Sequence, residues 1–242
     1  MNKTLSLEPL FNFGNSYGRR YVEEIHGKNV PHKRDTYVVL ALWFRLTELH
    51  NGVISLAQNR LSTNGFILLR SMCETAIILR KITRDSEFAT IYFNKVQREK
   101  HKSLDRISKV LDKTSFTLTQ EEISQFKETI SSKINKESAA DYRVKDLFYN
   151  EGQFTLYEMV YAHCCTFAHS EASILERYIV EREGKYELCP NKSLFEDAVF
   201  TCLMSTSLLT QGFTEMCSYI EYKPKSNEKF FDEYQDIQKF YH

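Results

Sequence analysis

"FILLRSMCETAIILRKI", Phe66 to Ile82, decides the fold class. Apolar side chains fall on almost every side of a 3.6-residue period, so the segment reads as a helix in the middle of a bundle, not one on its surface. It is long for a strand. "LSTNG" before it interrupts the apolar pattern and offers Ser62, Thr63 or Asn64 as a helix cap, so the helix is expected over about 65–83. Arg70 and Glu74 are the only charges between Phe66 and Leu79. Four residues apart, they share one helical face, and burying either without partners costs several kcal/mol per ion.

The same period continues outward in both directions. Upstream, "YVVLALWF" followed by Leu46, Leu49, Val53 and Leu56 predicts a helix over about 34–59. Downstream, Asp85-Ser86 punctuates the chain, and a charged amphipathic helix follows from Ser86. Thr119 and Glu122 have capping-box spacing and start a further helix reaching about Ala139. Another is expected from about 154 to 182, stopping near Gly184. Ser193 and Glu196 repeat the capping-box spacing and open a helix with Phe195, Val199, Cys202, Thr206, Leu209, Phe213, Met216 and Ile220 on one face. Pro224 ends it, and the aromatic-tipped tail 225–242 reads as a short last helix. The expectation is a single all-α domain over 1–242, a bundle of about seven or eight helices. Its core lies at about 34–83 and 154–221, and a polar helical arm occupies about 86–150.

Composition agrees with long helices. Only 8 glycines and 4 prolines punctuate 242 residues, too few for many tight turns. Lys plus Arg and Asp plus Glu are 32 each, so no global field draws nucleic acid or anionic lipid, and any such binding needs a local patch. The densest basic stretch, "KVQREKHKSLDRISKVLDK", places Lys95, Arg98, Lys102 and Arg106 as nucleic-acid contacts, against the plainer reading of a solvated helix face. The six cysteines form no Cys-x-x-Cys pair. The N-terminal stretch lacks a signal-peptide apolar run, and no segment approaches the roughly 18 apolar residues of a membrane span. A cytoplasmic protein without a membrane partner is expected.

"VYAHCCTFAHSEAS", 160–173, holds the chemistry. At about 100° per residue, Tyr161, Cys165 and His169 line one ridge, while His163 points away and Cys164 to the side. Tetrahedral zinc needs convergent ligands, which this helix does not supply, so no metal and no cofactor are expected. Cys164 reads as a core thiol and His163 as a surface histidine. Ala168 and Ala172 beside the ridge let the Arg70 helix approach. The reading is therefore a polar cluster of Arg70, Glu74, Tyr161 and His169, either catalytic or a buried lock on helix register.

"LLRSMCETAIIL" and "YAHCCTFAHSEAS" together resemble a bacterial family of helical proteins defined as a domain of unknown function (DUF5677-like), over about 35–180. The family pattern is Arg-x-x-x-Glu on one helix and Tyr-x-x-x-Ser-x-x-x-His on a later one. Arg70, Glu74, Tyr161 and His169 match it, and Cys165 stands where serine is usual. That architecture is similar to HEPN helical bundles, many of them dimeric, metal-independent ribonucleases that act as toxins or antiviral effectors. Their Arg-x(4–6)-His signature has its best counterpart here in Arg45–His50, with Arg20 and Arg19 also within the allowed range of His26, at five and six intervening residues.

The resemblance implies RNA cleavage by a homodimer. His169 would move protons, Arg70 hold the phosphate, Tyr161 donate a hydrogen bond and Glu74 orient its neighbours. A second enzymatic reading makes Cys165 a nucleophile activated by His169. The non-enzymatic alternative is a helical module that dimerises or docks a protein partner, with the cluster structural.

Overall fold

The computed structural model describes residues 6–28, 30, 34–110, 119–134, 141–168, 178–189, 194–224 and 227–241. Helices dominate, as an all-α bundle requires, and the chain divides into two compact units: Met1–Thr83 with Val144–His242, and Arg84–Arg143.

In the first unit, α1 (Glu8–Ile25) packs on α2 (Arg34–Gln58), followed by α3 (Ser62–Arg84). The sequence reading begins its helices at residue 34, so α1 is an addition. Its buried stripe is Leu10, Gly14, Tyr17, Gly18, Tyr21 and Ile25. Two of those six are glycines, which breaks the apolar period that reveals a helix. They are there for contact: a Cβ on Gly14 would sit 2.5 Å from Ile54 Cδ1 on α2, and one on Gly18 would sit 3.1 Å from Asn51 Oδ1.

After α6 (Val144–Asn150) come α7 (Phe154–Leu156), a π-helical turn (Tyr157–Tyr161) and α8 (Ala162–Ala168). α9 (Phe195–Tyr219) packs on α1 and α2, and α10 (Asn227–Tyr241) follows. The helix buried on nearly every side is α9, more than α3, whose Ile67 is exposed. α9 hides Thr201, Ser205 and Thr206 because their hydroxyls bond carbonyls one turn back. Its N-cap is Leu194, with no side-chain cap, and Ser193 of the expected Ser193–Glu196 capping box lies outside the described residues.

The larger correction concerns 179–188. The helix expected to run to 182 gives way to an antiparallel hairpin, β1 (Ile179–Arg182) and β2 (Lys185–Leu188). Glu183 and Gly184 join the strands with φ of 51° and 75°. Two positive φ values in a two-residue loop make the type I′ turn that matches strand twist.

The second unit holds α4 (Ser86–Val110) and α5 (Gln120–Ser132), packed together. Asp85 caps α4 by accepting from the amides of Glu87 and Phe88. Thr119 and Glu122 form the expected capping box of α5, bonding each other's main-chain amides. Among the described residues no helix is long and apolar enough to cross a membrane.

Candidate functional site

Arg70 and Glu74 lie one turn apart on α3, 2.9 Å from Nη2 to Oε1. Arg70 Nη2 donates to Tyr161 Oη at 3.2 Å, and its Nε donates to Cys165 Sγ at 3.3 Å. Tyr161 Oη donates in turn to Glu74 Oε1 at 2.7 Å. The guanidinium carbon also stands 5.4 Å from the Tyr161 ring centroid, a cation–π distance. Four residues from two segments nearly a hundred positions apart thus form one closed network. Among the described residues, Nη1 of Arg70 has no hydrogen-bond partner.

Packing explains why the segments meet in this register. Phe66 on α3 stacks on Phe167 of α8 at 4.1 Å, with planes 12° apart. His163 sits edge-on to both rings on the exposed rim. Tyr161 ends the π-helical turn, an insertion that shifts the phase of the helix before it and recurs at functional sites. Its ring stacks on Tyr157 at 5.4 Å, and Phe148 of α6 packs on both. The phenol is clamped before any ligand arrives.

The Arg70 and Glu74 side chains remain 29% and 28% exposed, so the network is open to solvent and not sealed. Burial, then donation to Glu74, raises the Tyr161 phenol well above its ordinary value, so it stays protonated and acts only as a hydrogen-bonding group. Burial opposes charge on Arg70, but Cys165 and then Glu74 outweigh it, and the guanidinium is held more firmly charged than usual. Cys164 is fully buried, its thiol pushed up to about 12 by burial, and Cys73 is likewise raised. These two are core thiols.

His169 and Ala172 lie outside the described residues. Arg45 and His50 do not share a site. Arg45 is exposed and pairs with Glu48 at 3.2 Å. His50 is fully buried, its Nε2 2.9 Å from the Gly14 carbonyl and its Nδ1 3.1 Å from Ser205 Oγ. A carbonyl only accepts, so Nε2 carries the proton, and Nδ1 competes with the Cys202 carbonyl for the single proton of the Ser205 hydroxyl. Arg20 pairs with Glu233, and His26 caps α1 in the open.

On α4, Lys95 is held by Asp141 at 2.9 Å and by the Tyr142 carbonyl at 2.7 Å, over the Tyr142 ring. Lys102 pairs with Glu99, while Arg106 is exposed. Arg98 also has partners within the protein. Much of this basic face is matched by acids of its own unit. Among the described residues no three His, Cys, Asp or Glu side chains gather as metal ligands.

The π-helical turn and the Phe148–Tyr157 clamp had no signal in the sequence. A π turn needs only one residue more than an α turn, and no residue type marks it. The model of a family of unknown function (DUF5677) matches residues 36–186, which takes in α2 to α8 and most of the hairpin. No curated protein and no solved structure matches the chain.

Proposed function

The chain belongs to the family of unknown function DUF5677, and from that premise we propose that the Arg70 network binds a phosphodiester and that the protein is a metal-independent endoribonuclease, HEPN-like in plan. One observation carries the reading: a partly exposed guanidinium held by Glu74, Tyr161 and Cys165. Arg70 then needs no reorganisation to accept an anion, which is the requirement for electrostatic stabilisation of a developing phosphorane. In the proposed reaction His169 takes the 2′-hydroxyl proton, the 2′-oxygen attacks phosphorus, and the P–O5′ bond breaks as the 5′-oxygen takes a proton from water, which the His169 imidazolium then restores. The products are a 2′,3′-cyclic phosphate and a 5′-hydroxyl. Tyr161 and Glu74 hold Arg70. A toxin or antiviral effector acting on cytoplasmic RNA fits this chemistry, and six free thiols suit a reducing compartment.

The test is RNA cleavage in the presence of a chelator, with wild type beside Arg70→Ala and His169→Ala. Cyclic phosphate ends from wild type, and a loss of at least a hundredfold in both variants at unchanged helicity, are expected. No cleavage, or full activity in His169→Ala, overturns the assignment.

A second reading has its own support. Glu74 already neutralises Arg70 at 2.9 Å, and a self-matched pair suits a structural tie in a helical interaction module. On that reading Arg70→Ala lowers stability and there is no activity to lose.

A further inference from the structure

The hairpin of the first unit carries an edge that the described residues do not cover. The register pairs Ile179 with Leu188 and Glu181 with Tyr186, so these four side chains share one face. Leu188 and Tyr186 are 82% and 77% exposed, and Ile179 is also exposed. The opposite face holds Val180, Arg182, Lys185 and Glu187. A lone two-stranded hairpin is marginally stable in water, and an exposed edge strand with apolar side chains is a template for another strand.

The hydrogen-bond phase says which groups point outward. Cys189 donates to the Tyr178 carbonyl at 2.7 Å, which makes 178 and 189 a bonded pair. In an antiparallel ladder bonded and non-bonded pairs alternate, so 180–187 and 182–185 are bonded within the hairpin, and 179–188 and 181–186 are not. The amide and carbonyl groups of Tyr186 and Leu188 therefore face away from β1, along the free edge of β2.

We propose that β2 pairs antiparallel with β2 of a second copy about a two-fold axis at Tyr186, extending the hairpin to a four-stranded sheet. Charge complementarity selects this occupant and this register. With Tyr186 opposite Tyr186 of the other copy, Lys185 faces Glu187 and Glu187 faces Lys185. Both cross-strand pairs are opposite in sign, and they are non-bonded positions, where side chains come closest. The two outward groups of Tyr186 then bond their own counterparts, and those of Leu188 meet Gly184. The axis keeps faces matched, so Ile179, Tyr186 and Leu188 of both copies share one face, with Glu181 of each copy flanking it on the outer strands. The β1 edge offers no equivalent: a two-fold at its outward-facing Glu181 sets two like charges opposite each other.

A strand of four residues is far short of the roughly 20–30 residues per side of a standard interface, so the association is weak and depends on concentration. This pairing is independent of the nuclease reading.

Sedimentation equilibrium of the full chain over a wide concentration range tests it. Wild type is expected to show a monomer–dimer equilibrium. Lys185→Glu and Glu187→Lys each place like charges across the axis, and each should weaken dimerisation at least tenfold. The double swap Lys185→Glu with Glu187→Lys restores complementarity and should recover most of the affinity. Tyr186→Pro, which removes the axial amide, should abolish dimerisation with helicity unchanged. A wild type that stays monomeric overturns the proposal, as does a dimer indifferent to the single swaps or not rescued by the double one.

Discussion

At the scale of single residues, His50 is the most consequential side chain that the chemistry does not use. Complete burial lowers its pKa to about 4, opposed only in part by the bond to the Gly14 carbonyl. The native imidazole is neutral while the unfolded one takes a proton near its ordinary value of about 6.5. Stability is therefore full above about pH 6.5 and falls as pH drops towards 4, by up to about 1.4 kcal/mol per unit and on the order of 3 kcal/mol in all. Below pH 4 both states are protonated and the slope ends. Urea unfolding at a series of pH values should show this decline, and His50→Gln should flatten it. The placement also explains why Arg45–His50, attractive as a spacing, is no pair. Three-residue and five-residue steps around a helix send Arg45 to Glu48 in solvent and His50 inward to Ser205.

At the scale of elements, the approach of α1 to α2 rests on Gly14. Ile54, whose tip a Gly14 methyl would strike, is fully buried and has nowhere to turn. Gly18 faces Asn51, which is exposed and free to swing. Gly14→Ala is thus expected to cost about 1–2 kcal/mol from overpacking, despite the gain in helix propensity. Gly18→Ala should cost less or stabilise. Denaturant midpoints of the two variants give the ranking, and the reverse order would refute this account of the contact.

Elements were unevenly legible in the sequence. α2 to α5 carried their period, and Thr119–Glu122 its capping box, because local bonds alone set them. The hairpin was hidden because "YIVEREGKYELC" has too few apolar residues to separate a strand from a helix tail. Its one local cue, Glu183-Gly184 at the turn, also suits a helix end.

At the scale of the molecule, two compact units imply two local stabilities. Thr119→Ala removes the cap of α5 in the second unit. Amides of residues 120–132 should exchange about fivefold faster, with those of α1, α2 and α9 unchanged. Hydrogen exchange read by mass spectrometry resolves the two sets, and equal acceleration everywhere would mean the units open together.

The sequence by itself determined the all-α class, the spans of α2, α3 and α4 to within a few residues and the pairing of Arg70 with Glu74. These follow from helical periodicity and i,i+4 geometry, which act over a few residues. The ridge of Tyr161, Cys165 and His169 could be read as facing that pair, with Tyr161 and His169 as partners, because two charges in an apolar helix must find them; that Cys165 accepts from Arg70 came from the structure. Only the tertiary structure decided that the network stays open to solvent, that a π-helical turn presents Tyr161, and that α9 holds the centre. Those outcomes depend on which surfaces exclude water when distant segments pack, a quantity no stretch of sequence contains on its own.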